Sequence, residues 1–112
     1  MVYKKYEELT IIKIEDITES IAFKTLAKVI AAKPSNVIYC ERSGKLAGMI
    51  SMGDIARAHD MDLDTVSINK QFTYISPDEY MKAKHIFRKR KKVNALPVMR
   101  GGGIAGRLFQ VG

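Results

Sequence analysis

The sequence predicts a mixed α/β fold (α+β) of two β-α-β-β(-α) repeats, each with a small three-stranded sheet. Runs rich in β-branched residues alternate with helical patterns along the 112 residues, and two glycine-containing turns join neighbouring apolar runs. The two halves of the chain also resemble each other. Because neither repeat alone covers both faces of its sheet, we expect the sheets to pack against each other about a pseudo-twofold axis, with the helices outside.

The first repeat is expected over about residues 9 to 59. Residues 9–14 (LTIIKI) predict a strand, and Asp16 with Glu19 resembles the capping box that begins a helix. The apolar residues on one face of this helix are Ala22, Leu26, Val29 and Ile30. Lys33-Pro34 is expected to end it, since the residue before a proline disfavours helical geometry.

A hairpin is predicted next. Residues 37–41 and 46–51 are apolar runs separated by the turn sequence RSGK, so they predict two antiparallel strands. A short helix is expected from Gly53 to about Ala58. Residues 60–71 are polar and without a clear period, which predicts a linker.

The second repeat is expected over about residues 72 to 112. Residues 72–75 predict a strand, and Ser76-Pro77-Asp78-Glu79 predicts a helix start with Ser as the cap and Pro at the first helical position. The predicted buried face of this helix is Tyr80, Ala83, Ile86 and Phe87. Residues 95–99 and 104–109 predict a second hairpin, closed by a glycine-rich turn.

Identical residues recur 58 positions apart, which indicates an internal duplication. Apolar positions between them match as well, and five identities within thirteen residues exceed what chance supplies. The identical pairs are Asn36 and Asn94, Arg42 and Arg100, Gly44 and Gly102, Ala47 and Ala105, and Gly48 and Gly106.

The stretch Gly48–Ile55 (GMISMGDI) carries the chemistry of the first repeat. A strand that runs straight into a helix leaves free backbone N–H groups at the junction, and these attract a phosphate or another anion. Ser51 can donate or accept a hydrogen bond there, and the Asp54 carboxylate can accept two hydroxyl groups at once, as a ribose offers. The alternative interpretation is that Ser51 and Asp54 only cap the helix.

One repeat contains Gly-Met-Ile-Ser-x-x-Asp, and the other contains Ser-Pro-Asp and Asn-Ala-Leu-Pro-Val. Together they resemble a pair of CBS domains, also called a Bateman module, over about residues 9 to 112. The resemblance implies a regulatory module without catalytic residues or a required cofactor. It would bind an adenine nucleotide (AMP, ADP or ATP) or S-adenosylmethionine in the cleft between the repeats. Such pairs commonly form homodimers, and they are attached to, or are partners of, a larger enzyme or transporter.

Carried onto this sequence, the resemblance implies roles for ten residues. Asp54 is expected to hold the ribose hydroxyls, with Ser51 near the ribose or phosphate. Arg57, one helical turn beyond Asp54, is expected to face the phosphates. The residues expected around the base are Met49 and Ile50 on one side, and Ser76, Pro77, Val93, Asn94 and Ala95 on the other.

The second repeat departs from the family pattern. Phe109 stands where the first repeat has Ser51, and Gly112 stands where it has Asp54. A phenyl ring cannot replace a hydroxyl group and glycine has no carboxylate, so a symmetric second site is not expected. The helix expected after Phe109 is also missing, which suggests a piece of a longer protein or a partner that covers the exposed sheet face.

The net charge of +7 is the unusual bulk property, since it attracts polyphosphates, nucleic acid or acidic membranes. The run from Arg88 to Lys92 supplies five of the 19 basic residues at the end of a predicted helix, where positive charge also offsets the helix dipole. Two alternatives therefore stay open for this run: a solvated helix end, and a surface that binds nucleic acid or another anion. A ligand-free dimerisation module is a further alternative for the whole chain.

The remaining reactive residues suggest no catalytic or metal site. Cys40 is the single cysteine, which excludes an internal disulfide, and its apolar strand predicts a buried, inert thiol. A cytoplasmic location follows as the default. His59 and His85 are expected on separate helices with no second metal ligand at a useful spacing. The longest apolar runs are too short to span a membrane.

Overall fold

Strands and helices alternate along the chain in a computed structural model that describes residues 1–15 and 18–110. In chain order the elements are β1 (Val2–Lys5), a 3₁₀ helix (Tyr6–Glu8), β2 (Ile11–Lys13), β3 (Ser20–Ala22), α1 (Phe23–Ala32), β4 (Val37–Arg42), β5 (Lys45–Ser51), α2 (Met52–Asp60), β6 (Thr65–Ser67), α3 (Tyr80–Lys89), β7 (Ala95–Arg100) and β8 (Gly103–Phe109). The predicted mixed α/β class with small three-stranded sheets is confirmed.

The chain divides into two compact units. The central unit is Thr10–Phe72, and the terminal unit combines Met1–Leu9 with Thr73–Gly112. The central unit contains a sheet in the order β2-β4-β5 and a two-stranded sheet of β3 and β6, and the terminal unit contains a sheet in the order β1-β8-β7. No helix in the described part of the chain has the length and apolar character that a membrane span requires.

Both predicted hairpins are confirmed. The β4–β5 turn places Ser43 and Gly44 at φ values of 53° and 76°, and the β7–β8 turn places Gly101 and Gly102 at 58° and 81°. Two successive residues with positive φ form the two-residue turn whose twist matches that of antiparallel strands. Glycine adopts these angles without steric cost, so the turn residues determine the register of both hairpins.

The start of the first helix differs from the prediction. Residues 20–22 form β3 and pair with β6, so α1 begins at Phe23 and Ala22 is its exposed N-cap rather than part of a buried face. Strand pairing prevails here because it buries Ile21 in the central core. Asp16, the expected cap, lies outside the described residues. Lys33-Pro34 ends the helix as predicted.

The predicted linker over residues 60–71 is in part wrong. It contains β6, whose Val66 is buried in the central core, and Asn69 forms an antiparallel bridge with Met49 at the free edge of β5. Helix α2 also extends to Asp60, two residues beyond the predicted end. One buried residue in a polar strand leaves almost no alternating pattern, which is why the sequence predicted no strand there.

The third strand of the sheet in the terminal unit is β1, not the predicted strand over residues 72–75. Residues 72–75 were predicted to form it, but only Ile75 makes a one-residue parallel bridge, with Val98. Instead β1 pairs with β8 along four residues. The helix start is also later than predicted: α3 begins at Tyr80, which is 48% exposed and not on the buried face, whereas Ala83 and Phe87 are buried as expected.

Glycine is required at the duplicated positions Gly48 and Gly106 for the same structural reason. A Cβ at Gly48 would lie 2.6 Å from the carbonyl oxygen of Asn69, and a Cβ at Gly106 would lie 2.5 Å from that of Lys4. In each unit, a segment that precedes a repeat therefore pairs with the second strand of a hairpin and lies in close contact with the glycine of that strand. Glycine recurs at both positions because only a residue without a side chain permits this approach.

Candidate functional site

The junction between β5 and α2 holds the predicted hydroxyl and carboxylate side by side. Ser51 is the N-cap of α2, and its Oγ accepts a hydrogen bond of 3.1 Å from the backbone N–H of Asp54. The backbone N–H of Ser51 donates in turn to Asp54 Oδ2, at 2.9 Å. This reciprocal pair is a capping box, so both residues cap α2.

The remaining carboxylate oxygen, Asp54 Oδ1, accepts a hydrogen bond from the Arg57 guanidinium. The Asp54 side chain is 26% exposed and the Arg57 side chain 70% exposed. An ion pair at the surface contributes about 0–1 kcal/mol, so Arg57 can exchange this carboxylate for another anion at little cost. Each carboxylate oxygen also has a second lone pair, which leaves Asp54 able to accept hydroxyl groups while it caps α2.

Of the two residues expected beside the base on β5, one faces the wrong way. Ile50 is 0% exposed within the central core, so its side chain packs against other apolar residues and does not reach the surface. Met49 and Ser51 lie on the opposite face of β5, because successive strand residues alternate between faces. Met49 is partly buried, and its N–H and carbonyl both bond to the backbone of Asn69.

Ser76 and Pro77 line a pocket of about 220 Å³ in the terminal unit. The Ser76 hydroxyl and backbone N–H both donate to Glu79 Oε1, at 2.7 Å each, and these hydrogen bonds lower the pKa of Glu79. The acceptor lone pairs of the Ser76 hydroxyl remain for a ligand. The full lining of the pocket is Tyr3, Ile75, Ser76, Pro77, Tyr80, Val98 and Arg100.

The other three residues predicted for this side of the site lie elsewhere in the terminal unit. Val93 packs against the core of the unit, and the carbonyl of Asn94 accepts a hydrogen bond of 2.9 Å from the N–H of Gln110. Ala95 pairs with Phe109 between β7 and β8. The structure thus groups Ser76 with Pro77, but none of these three is among the residues that line the pocket.

Sequence reasoning missed the pocket residues Tyr3, Tyr80 and Arg100. Tyr3 belongs to β1, a strand whose residues are all exposed and therefore show no apolar alternation. Tyr80 was placed on a buried face, and Arg100 in a turn. The tandem Ser-Pro at a helix start was the one signal in the sequence that marked this pocket.

The position equivalent to Ser51 in the second repeat has different chemistry. The ring of Phe109 lies beneath the Lys4 ammonium group, 5.2 Å from its centroid, and beside the Arg107 guanidinium at 4.6 Å. These are cation–π distances. An aromatic ring that contacts two cations offers no hydroxyl to a ribose. Gly112, the counterpart of Asp54, lies outside the described residues.

The described residues show no cluster of metal ligands and no reactive thiol. Within 1–15 and 18–110, no three His, Cys, Asp or Glu side chains converge as metal ligands do. Cys40 is buried, as predicted, and burial raises the pKa of its thiol to about 11. A thiol with this pKa stays protonated at neutral pH and is a poor nucleophile.

Comparison with known proteins identifies the fold. No family model matches the chain, and neither does any curated protein. Solved structures of CBS domain pairs do match, so the chain has the fold of a CBS domain pair, as the resemblance in its motifs predicted.

Three of these structures contain adenosine compounds. The CBS domain pair of protein MJ0100, in complex with 5′-methylthioadenosine and S-adenosyl-L-methionine, has a TM-score of 0.71 at 20% identity, over 91% of this chain and 86% of that chain. CBSX2 in complex with AMP has a TM-score of 0.73 at 13% identity, over 96% and 85%. The protein PAE2072 from Pyrobaculum aerophilum, complexed with AMP, has a TM-score of 0.64 at 19% identity, over 95% and 86%.

Proposed function

We propose that this protein is a regulatory module that binds an adenosine-containing ligand through Ser51 and Asp54 and signals its presence to an attached or partner protein. The observation that carries the proposal is the partly exposed hydroxyl–carboxylate pair at the β5–α2 junction. The three similar structures that hold AMP or S-adenosylmethionine support the choice of ligand class. AMP, ADP, ATP and S-adenosylmethionine all share the ribose that Asp54 is proposed to bind.

The chemistry of the junction suits a nucleotide. Two ribose hydroxyls donate to the Asp54 carboxylate, and hydrogen bonds to a charged acceptor are the strong ones. Arg57 then turns from Asp54 to a phosphate, with which it forms a bidentate pair. The space beside Gly53 is open, since a Cβ there would meet no atom closer than 3.6 Å outside its chain neighbours and the helix backbone. An anion at this position is also favoured by the helix dipole.

Regulation follows from differential binding. A ligand shifts a conformational equilibrium only by the difference in its affinity for the two states. We propose that the state in which Asp54 and Arg57 both contact the ligand differs from the unliganded state, in which Arg57 pairs with Asp54. The attached or partner protein responds to this difference. We propose further that the module acts in the cytoplasm as a homodimer.

Titration calorimetry with AMP, ATP and S-adenosylmethionine tests the proposal on wild type and the Asp54→Asn variant. We expect wild type to bind at least one of them and Asp54→Asn to lose at least about tenfold in affinity, because a hydrogen bond to a charged group contributes about 1.5–3 kcal/mol. Asp60→Asn is the matched control, since Asp60 is an exposed carboxylate at the other end of the same helix.

Thermal melts must accompany the titrations because Asp54 also caps α2. An asparagine side chain still accepts the cap hydrogen bond, so we expect Asp54→Asn to fold. The proposal fails if folded Asp54→Asn binds as tightly as wild type, or if Asp60→Asn loses as much affinity as Asp54→Asn does.

A further inference from the structure

The net charge of the protein belongs entirely to one of its two units. The terminal unit contains eleven Lys and Arg residues against four Asp and Glu, whereas the central unit contains eight of each. From Tyr80 to Gly112 the sequence has no acidic residue at all. The proposed nucleotide site lies in the central unit and so does not account for this excess of positive charge.

Part of the excess charge lines a groove beside α3. Lys84, Arg88 and Lys91 border this groove, which has a volume of about 340 Å³ and is completed by Met1, Phe87 and Gln110. Lys84 and Arg88 are one helical turn apart and face the same side, and Lys91 follows just beyond the end of the helix. We refer to Lys84, Arg88 and Lys91 as the basic groove.

The cations of the basic groove have no partner of opposite charge in the described part of the chain. The ion pair on this helix joins Lys82 to Glu79 at 3.4 Å, and none of the three groove residues takes part in an ion pair among described residues. Like charges one helical turn apart destabilise a helix by about 0.2–0.5 kcal/mol. The helix dipole explains a cation in the last turn, such as Arg88, but not Lys84 in the middle of α3.

We propose that the basic groove binds the phosphate backbone of a single-stranded nucleic acid without reading its sequence. A row of cations along a groove is the electrostatic arrangement that follows such a backbone. Tyr80 lines the Ser76 pocket rather than the groove, but it lies one helical turn before Lys84 and is 48% exposed, so its ring offers a base a stacking surface. Together the cations and the ring match both parts of a nucleotide chain.

Two other anionic partners fit the groove less well. A bilayer is broad and flat, whereas the groove is concave. An acidic protein segment needs buried apolar anchors for its affinity. Phe87 is only 4% exposed, so among the described lining residues Met1 alone offers an exposed apolar side chain. A nucleic acid backbone needs no such anchor, because its affinity comes from the release of counterions.

The experiment measures fluorescence anisotropy of a labelled oligo(dT) of about twelve nucleotides, a length within the range of single-strand binding sites. The test variant carries Lys84→Glu, Arg88→Glu and Lys91→Glu. We expect it to lose at least about tenfold in affinity at low salt, and its slope of log affinity against log salt to fall by about two, since each of three lost phosphate contacts contributes about 0.7. Tyr80→Ala should weaken binding severalfold with an unchanged slope, because stacking involves no counterion.

The matched control carries Lys24→Glu, Lys28→Glu and Lys45→Glu. These three residues are exposed on the central unit, and the change in net charge is the same. We expect this variant to lose less than about threefold in affinity, because none of its three lysines lines the basic groove. Equal losses in both triple variants would overturn the proposal, as would the absence of binding by wild type. Equal or tighter binding to an acidic peptide or to anionic vesicles would also overturn it.

Discussion

Asp54 combines a structural contact with the proposed binding contact in one carboxylate. Its Oδ2 completes the capping box of α2 while Oδ1 pairs with Arg57. The spacing of Ser51, Asp54 and Arg57 was sufficient to predict their proximity, because residues three apart at a helix start are neighbours in any sequence. The pocket around Ser76 could be predicted only in part, since Tyr3 reaches it from another part of the chain.

Cys40 provides a prediction about reactivity. Its thiol is fully buried with a pKa raised to about 11, so at pH 8 it is protonated and shielded from solvent. We expect iodoacetamide to label the folded protein at least about a hundredfold more slowly than the urea-unfolded protein, because only transient opening exposes the thiol. Equal labelling rates would show that Cys40 is accessible in the folded protein.

The same pKa shift fixes the sign of a pH dependence. In the unfolded chain the thiol ionises near its ordinary pKa of 9.0, whereas in the folded chain it stays neutral up to about pH 11. Below pH 9 the thiol is neutral in both states, so its burial adds no pH dependence to the free energy of unfolding. Above pH 9 the unfolded chain loses the thiol proton while the folded chain keeps it. The free energy of unfolding should fall as the pH rises from about 9 to about 11 by this contribution, which a Cys40→Ala variant lacks.

At the scale of elements, turn chemistry explains the successful predictions. The two hairpins follow from their turn residues and apolar runs, which are local features. The errors concern strands whose pairing partner is distant in sequence. β1 has no buried residue, and β3 and β6 contribute one each. Such short strands exist only because a distant strand edge supplies their hydrogen bonds, and a local pattern does not contain that information.

Gly48 and Gly106, which lie in close contact with a paired segment, give a prediction at this scale. Gly48→Ala and Gly106→Ala place a methyl group within 2.6 Å of a backbone carbonyl oxygen, so the paired segment has to shift. We expect each substitution to lower the free energy of unfolding by about 1–3 kcal/mol, as overpacking does. Urea denaturation measures this change.

Gly53→Ala is the control for these variants. A Cβ at Gly53 lies at ordinary contact distance, and the position is in the first turn of α2, where alanine favours the helix. This variant should unfold at the same urea concentration as wild type or at a higher one. Equal stability of Gly48→Ala and wild type would mean that the segment at Asn69 is not held against Gly48 at the edge of β5.

At the scale of the whole molecule, the two copies share a hairpin but differ in side-chain chemistry and charge. Both repeats contain the hairpin, its turn and the glycine in close contact with a paired segment. Only the first retains the serine and the carboxylate of the junction, while the second has Phe109 there and belongs to the unit with all the excess charge. The duplicated hairpin thus recurs in both units, whereas the Ser51–Asp54 pair and the excess positive charge each belong to one unit.

The central claim is that Asp54 recognises the two hydroxyl groups of a ribose. The most direct measurement compares AMP with its 2′,3′-dideoxy analogue on wild type and on Asp54→Asn. Wild type should prefer AMP by at least about tenfold, because the analogue lacks the hydrogen bonds to the carboxylate, and Asp54→Asn should bind both ligands with nearly equal affinity. A full preference for AMP in Asp54→Asn, or no preference in wild type, would contradict the account.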